Sequence, residues 1–169
     1  RGAIITLVAG QTPDLERIYD IANKYGIILI EDATCALGVT YNDETVGSLR
    51  ADMTIFSTNP SNGKYSESRS GMIVTNDEEI AQRARLLRTH AITTTYDDFG
   101  NLDYIYDVVD IGHKYDISEL DAAFSLAQLK KTNKFIKRRK DIAKIYKDIL
   151  SYIKHVTIPK HKDEHIFTH

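Results

Sequence analysis

Ile27-Ile28-Leu29-Ile30-Glu31-Asp32 is the run on which the fold turns: four consecutive aliphatic residues, introduced by Gly26, that end on two acids. A short apolar run without polar alternation suits a strand of a parallel sheet covered on both faces. The acids then fall at the strand's carboxyl edge, where open α/β sheets hold ligands. Upstream, Ala3 to Ala9 (AIITLVA), closed by Gly10, reads as a second strand of the same doubly covered kind. Between the two, Thr12 is the expected helix cap with Pro13 at the first helical position. Leu15, Ile18, Tyr19, Ile21 and Ala22 recur at helical spacing until Gly26 stops them.

Downstream, Met53 to Ser57 and Met72 to Thr75 read as two more strands, separated by a Ser-, Asn- and Gly-rich loop over 59–70. Asn76 or Asp77 caps a helix that opens on Asp77-Glu78-Glu79 and closes on Arg83, Arg85 and Arg88, a charge order that suits the helix dipole. Thr93 to Tyr106 is aromatic and turn-like. From Ser118, with Asp121 at the third helical position, the spacing predicts one long helix past Phe135 to about Leu150. Its lysines and arginines, Lys130 to Lys140, read as a solvated face. The fold class is therefore α/β, a mostly parallel sheet with flanking helices.

With 42% hydrophobic and 27% charged residues among 169, the chain has the composition of an ordinary globular domain. Its net charge of -2 comes from well-mixed acids and bases, which argues against a nucleic-acid partner. Cys35 is the single cysteine, so no disulfide can form within the chain; no apolar stretch is long enough for a membrane span or a signal peptide. A reducing cytoplasm is the expected location. His90 and His113 stand without a third ligand at metal spacing, and 161–165 reads as a polar turn, so no metal is expected. Both ends read as cut: Arg1 opens directly into a strand, and His169 follows a fresh apolar segment at 165–167.

Glu31-Asp32-Ala33-Thr34-Cys35-Ala36-Leu37-Gly38 resembles the EDAAHALG-type signature of the DegT/DnrJ/EryC1/StrS family of pyridoxal-phosphate-dependent sugar aminotransferases. AIITLVAGQTPDLERI resembles that family's preceding strand-turn-helix, and Val46-Gly47-Ser48 its following turn. Phe56-Ser57 resembles the start of an FSFHxxK segment, and Gly71 to Thr75 a GGMVVT strand. Leu86 to His90 resembles an LRxHG helix end, Gly112 to Ala123 a GxNYRMxExQAA segment, and Leu126 to Leu129 its LxQL continuation. The resemblance runs in order along nearly the whole chain and covers about half of a full family member.

That resemblance implies the large-domain portion of the aminotransferase fold over residues 1–117, a connecting helix over 118–155, and the start of a small domain over 156–169. It implies pyridoxal 5'-phosphate, a nucleotide-sugar substrate, an amino-acid donor, typically glutamate, and a homodimer. Asp32 would hold the protonated ring nitrogen, Ser57 the phosphate, and Cys35 would lie beside the cofactor in place of the usual His or Gln. Lys114 would stand where the family sends an asparagine across to the neighbour's phosphate. Read alone, Asp32 could equally cap a helix, Ser57 form a turn and Cys35 serve as a small hydrophobe.

The chain also departs from the pattern. Five positions after Ser57, where the family has its cofactor-linking lysine, stands Asn62; counting back from Gly71 lands on Gly63. Lys64 serves that role if the loop bulges, and is otherwise an exposed loop lysine. Arg69-Ser70-Gly71 replaces Glu-Gly-Gly, and Asp116 and Asp121 replace an arginine and a glutamine. Three readings follow: a sugar aminotransferase with Asp32 and Lys64 catalytic, a non-catalytic or truncated homologue, and a lysine-lacking dehydratase, the last weakened by asparagine where such proteins carry histidine.

Overall fold

The computed structural model describes residues 1–57, 70–96 and 101–158, with side chains described for all of these except 94–96 and 102–105. The expected loop over 59–69, with Asn62, Gly63, Lys64 and Arg69, and the turn at 161–165 lie outside the described residues. Two compact units are present, one of Arg1–Val74 with Glu119–His169, the other of Thr75–Ser118.

The first unit is built on a four-stranded sheet in the order β1 (Gly2–Thr6), β2 (Ile28–Asp32), β5 (Met53–Ser57), β6 (Gly71–Val74). β1, β2 and β5 run parallel, and β6 is antiparallel to β5. Helix α1 (Leu15–Tyr25) connects β1 to β2 and ends at Gly26, whose φ of 60° closes it in the left-handed conformation. It buries Leu15, Tyr19 and Ala22, and these join Leu29, Phe56 and the 33–46 segment in one core. Burying a side chain the size of Leu15, Leu29 or Phe56 contributes about 1.5–3 kcal/mol.

Among the described residues, β1 and β2 are covered on one face. Along β2, Leu29 and Glu31 are buried, Ile30 and Asp32 partly so, and Ile28 exposed. On the second face Ile4 is 67% and Ile73 54% exposed. The helix cap also moves. Asp14, not Thr12, accepts from the Arg17 amide and caps α1, while Thr12 is buried. An aspartate two residues nearer the apolar face competes better for the free amides.

Between β2 and β5 lies a small hairpin, β3 (Thr40–Tyr41) and β4 (Glu44–Thr45). Its central Asn42 and Asp43 have φ of 48° and 65°, the tight mirror-image turn that matches strand twist. Gly47 follows with φ 101°, and a Cβ there would stand 2.8 Å from the Phe56 ring. The Val46-Gly47-Ser48 turn is thus a place where the chain passes directly against β5.

Asp77 caps α2 (Glu78–Leu87) by accepting from the Glu79 and Ile80 amides. Of the stretch from Thr93 to Tyr106 read as turn-like, residues 93–96 and 102–106 belong to two antiparallel strands, β7 (Ile92–Tyr96) and β8 (Leu102–Val108), as their β-branched and aromatic residues allow; 97–100 lie outside the described residues. The expected single long helix is two, α3 (Glu119–Leu129) and α4 (Thr132–Leu150). At the break the Lys131 amide donates to Gln128 O at 2.8 Å, a tightened turn, and Lys131 itself sits at φ -99°, ψ -2°. Thr132 and Asn133 are weak helix formers at that point. Among the described residues no helix is long and apolar enough to cross a membrane.

Candidate active site

The last two residues of β2 diverge because successive strand side chains point to opposite faces. Glu31 turns inward and is 0% exposed. The Tyr19 hydroxyl donates to its Oε1, and Thr54 Oγ1 donates to Oε2 at 3.0 Å. Burial, and then the carboxylate of Glu31, push the Tyr19 phenol far above the usual tyrosine range. This acid is satisfied within the core and belongs to the scaffold.

Asp32 points to the other face and is half-buried. Its Oδ1 accepts from Thr34 Oγ1 at 2.7 Å and from the Thr34 amide at 3.2 Å; Oδ2 accepts a long bond from Thr6 Oγ1 at 3.4 Å. In register Asp32 lies between Thr6 on β1 and Ile55 on β5. Ser57 is two residues beyond Ile55, so it shares that face, with Cα atoms of Asp32 and Ser57 about 8 Å apart by strand spacing and rise. Its neighbour on β6 is Gly71.

Beyond β2 the Ala33 amide donates to Ile55 O at 2.9 Å and the chain turns twice, Ala36 amide to Ala33 O and Val39 amide to Ala36 O. Thr34 and Cys35 ride on the first turn, just past the carboxyl edge. Cys35 is half-buried, less enclosed than a core cysteine. Gly38, with φ 80°, closes the segment, and a Cβ there would collide with the Ile136 side chain of α4.

The structure thus brings Asp32, Ser57 and the turn bearing Cys35 to one edge of one sheet. Lys64 lies outside the described residues. Lys114 is exposed in the second unit, where it bridges Thr89 in antiparallel fashion beside the stacked rings of His113 and Tyr115. Sequence reasoning missed Thr6 and Thr34. Thr34 was findable: a hydroxyl residue two positions after an aspartate is the spacing of a side-chain-capped turn. Thr6 was not, because its meeting with Asp32 depends on sheet register. Among the described residues no three His, Cys, Asp or Glu side chains form a group able to hold a metal ion.

The carboxylate and the hydroxyl fit pyridoxal phosphate by their chemistry. A carboxylate accepts from a protonated ring nitrogen, a hydroxyl donates to a phosphate oxygen, and their separation is comparable to the span of that cofactor.

A family model described as the DegT/DnrJ/EryC1/StrS aminotransferase family matches residues 1–169. The chain is 34% identical over 140 residues to UDP-4-amino-4,6-dideoxy-N-acetyl-beta-L-altrosamine transaminase of Campylobacter jejuni, covering 82% of this chain and 35% of that one. It is 32% identical over 154 residues to the spore coat polysaccharide biosynthesis protein SpsC of Bacillus subtilis, covering 89% of this chain and 39% of the relative. Among solved structures it resembles Helicobacter pylori PseC, an aminotransferase involved in the biosynthesis of pseudoaminic acid. There the TM-score is 0.77 at 26% identity, over 89% of this chain and 38% of the other. The chain spans well under half the length of these relatives.

Proposed function

We propose, from the premise that this chain belongs to the DegT/DnrJ/EryC1/StrS aminotransferase family, that its protein transfers an amino group from an amino acid, typically glutamate, to a keto carbon of a nucleotide-linked sugar. The observation that carries the reading is the common face shared by Asp32 and Ser57 at the carboxyl edge of a sheet. The relatives named as sugar transaminases support the substrate class. On this reading residues 1–117 belong to the cofactor-binding large domain, 118–155 connect, and 156–169 begin a smaller domain. The protein works as a homodimer, with Lys114 reaching a neighbour's phosphate.

Pyridoxal phosphate, when bound, supplies an electron sink for charge developing at the substrate carbon. The Asp32 carboxylate keeps a proton on the ring nitrogen through a charge-assisted hydrogen bond. The Ser57 hydroxyl donates to a phosphate oxygen and orients it, and Cys35 flanks the ring as a small side chain. Lys64 Nζ moves the proton at the substrate carbon. Glu31 takes no part, since both its oxygens are engaged by Tyr19 and Thr54 in the core.

Reconstituting the intact protein with pyridoxal phosphate tests this. A near-ultraviolet or visible band that borohydride fixes covalently onto Lys64, found by peptide mass spectrometry, is the expected result. Asn62 at the family's lysine position favours the second reading, a non-catalytic homologue. No band at excess cofactor decides for that one.

A further inference from the structure

Asp32 has more hydrogen-bonding company than its role demands, and all of it falls on particular oxygens. Oδ1 accepts from both the hydroxyl and the amide of Thr34, at 2.7 and 3.2 Å. Among the described residues Oδ2 has only the 3.4 Å contact from Thr6, near the limit of a useful bond. One carboxylate oxygen is therefore pinned and the other is left nearly uncommitted on the face that also carries Ser57. The EDAAHALG-type pattern has alanine at the place of Thr34, so this hydroxyl is a contribution of the present chain.

We infer that Thr34 is a positioning residue. By holding Oδ1 it fixes the carboxylate plane so that Oδ2 meets the cofactor's ring nitrogen, and Thr6 lends a second, weaker restraint across from β1. A carboxylate restrained from one side loses less rotational freedom when it takes a partner on the other. The Thr34 hydroxyl is the shorter of the two bonds to Oδ1, beside the Thr34 amide, in a half-buried setting. The inference rests on the assignment of Asp32 to the ring nitrogen.

The test compares equilibrium binding of pyridoxal phosphate with that of its 1-deaza analogue, whose ring carries CH in place of the nitrogen, by fluorescence titration of the intact protein. Contacts to phosphate and aldehyde cancel in the ratio of the two dissociation constants, which then reports the ring-nitrogen contact alone. Thr34→Val, which keeps the branched shape and removes the hydroxyl, is expected to shrink the preference for the natural cofactor by about three- to tenfold, the loss of one hydrogen bond. Thr34→Ser should restore it to within about twofold. Should Thr34→Val not fold, as judged by circular dichroism, Thr34→Ala serves in its place with the same expectation. If Asp32→Asn abolishes the preference while Thr34→Val leaves it intact, or if Ser and Val lose it equally, Thr34 does not position Asp32 although Asp32 keeps its role. If Asp32→Asn itself leaves the preference unchanged, the assignment of Asp32 fails and this inference with it.

Discussion

Replacing Tyr19 by phenylalanine removes one oxygen from the core and leaves the ring, which Arg50 covers at 5.3 Å, in place. The lost oxygen is the donor to Oε1 of Glu31, a side chain 0% exposed whose other oxygen depends on Thr54 at 3.0 Å. A hydrogen bond to a charged group contributes about 1.5–3 kcal/mol, and an acceptor stranded in the interior costs a comparable amount. We therefore expect Tyr19→Phe to lose about 2–3 kcal/mol at pH 8, where no cavity accounts for it. The pH profile identifies the cause. Tyr19 keeps its proton far above its ordinary value of 10.0, while the unfolded chain releases it there. Above pH 10 the unfolded state thus binds fewer protons, and wild-type stability falls by up to about 1.4 kcal/mol per pH unit. Below that pH the contribution is fully present. The phenylalanine variant lacks this dependence, so the gap between the two proteins should be constant from pH 7 to 9 and narrow by about 1 kcal/mol between pH 10 and 11. Urea denaturation followed by far-ultraviolet circular dichroism across that range measures both features. A gap under about 0.5 kcal/mol at pH 8, or one that does not narrow between pH 10 and 11, refutes the argument.

Three further outcomes follow from local geometry. Gly47→Ala meets both a φ of 101° and the Phe56 ring at 2.8 Å, and should cost about 2–4 kcal/mol by thermal or chemical denaturation. Ala9 is exposed at φ 54°, so Ala9→Gly relieves left-handed strain and is expected to raise stability by about 0.5–1 kcal/mol in the same assay. The Arg83 guanidinium and the Ile111 amide hold the Asp110 carboxyl below its ordinary value of 3.8, so whatever stability that ion pair confers is present above the carboxylate range and fades as the pH falls through the lowered value. Arg83→Ala should move the carboxyl's NMR titration upward.

Strands were legible where composition changed abruptly. Met53–Ser57 reads directly from its β-branched and aromatic residues between polar neighbours, and Asp77 is marked as a cap by the acids that follow it. What stayed hidden is local: the Lys130-Lys131 break is a tightening inside an unbroken helical spacing. The Asn42-Asp43 turn was readable from its residue types but too short to stand out beside the longer runs. For the site, Asp32 and Ser57 announce themselves by position at strand ends, and Thr34 by its spacing from Asp32. Thr6 required the pairing of β1 with β2. No periodicity distinguishes Asn62, Gly63 and Lys64 within a polar stretch of sequence.

The two acids that close β2 are covalent neighbours living in unlike worlds, one sealed among Tyr19 and Thr54, the other at the edge of the sheet. Parity is what separates them. Any sequence change that slid this strand by an odd number of residues would exchange their surroundings at a stroke, sending a carboxylate wrapped in donors outward and an edge carboxylate into the apolar interior. An even slide would keep each acid on its own face but carry Glu31 away from Tyr19 and Thr54, so the register of this strand is fixed by more than which face its apolar residues cover.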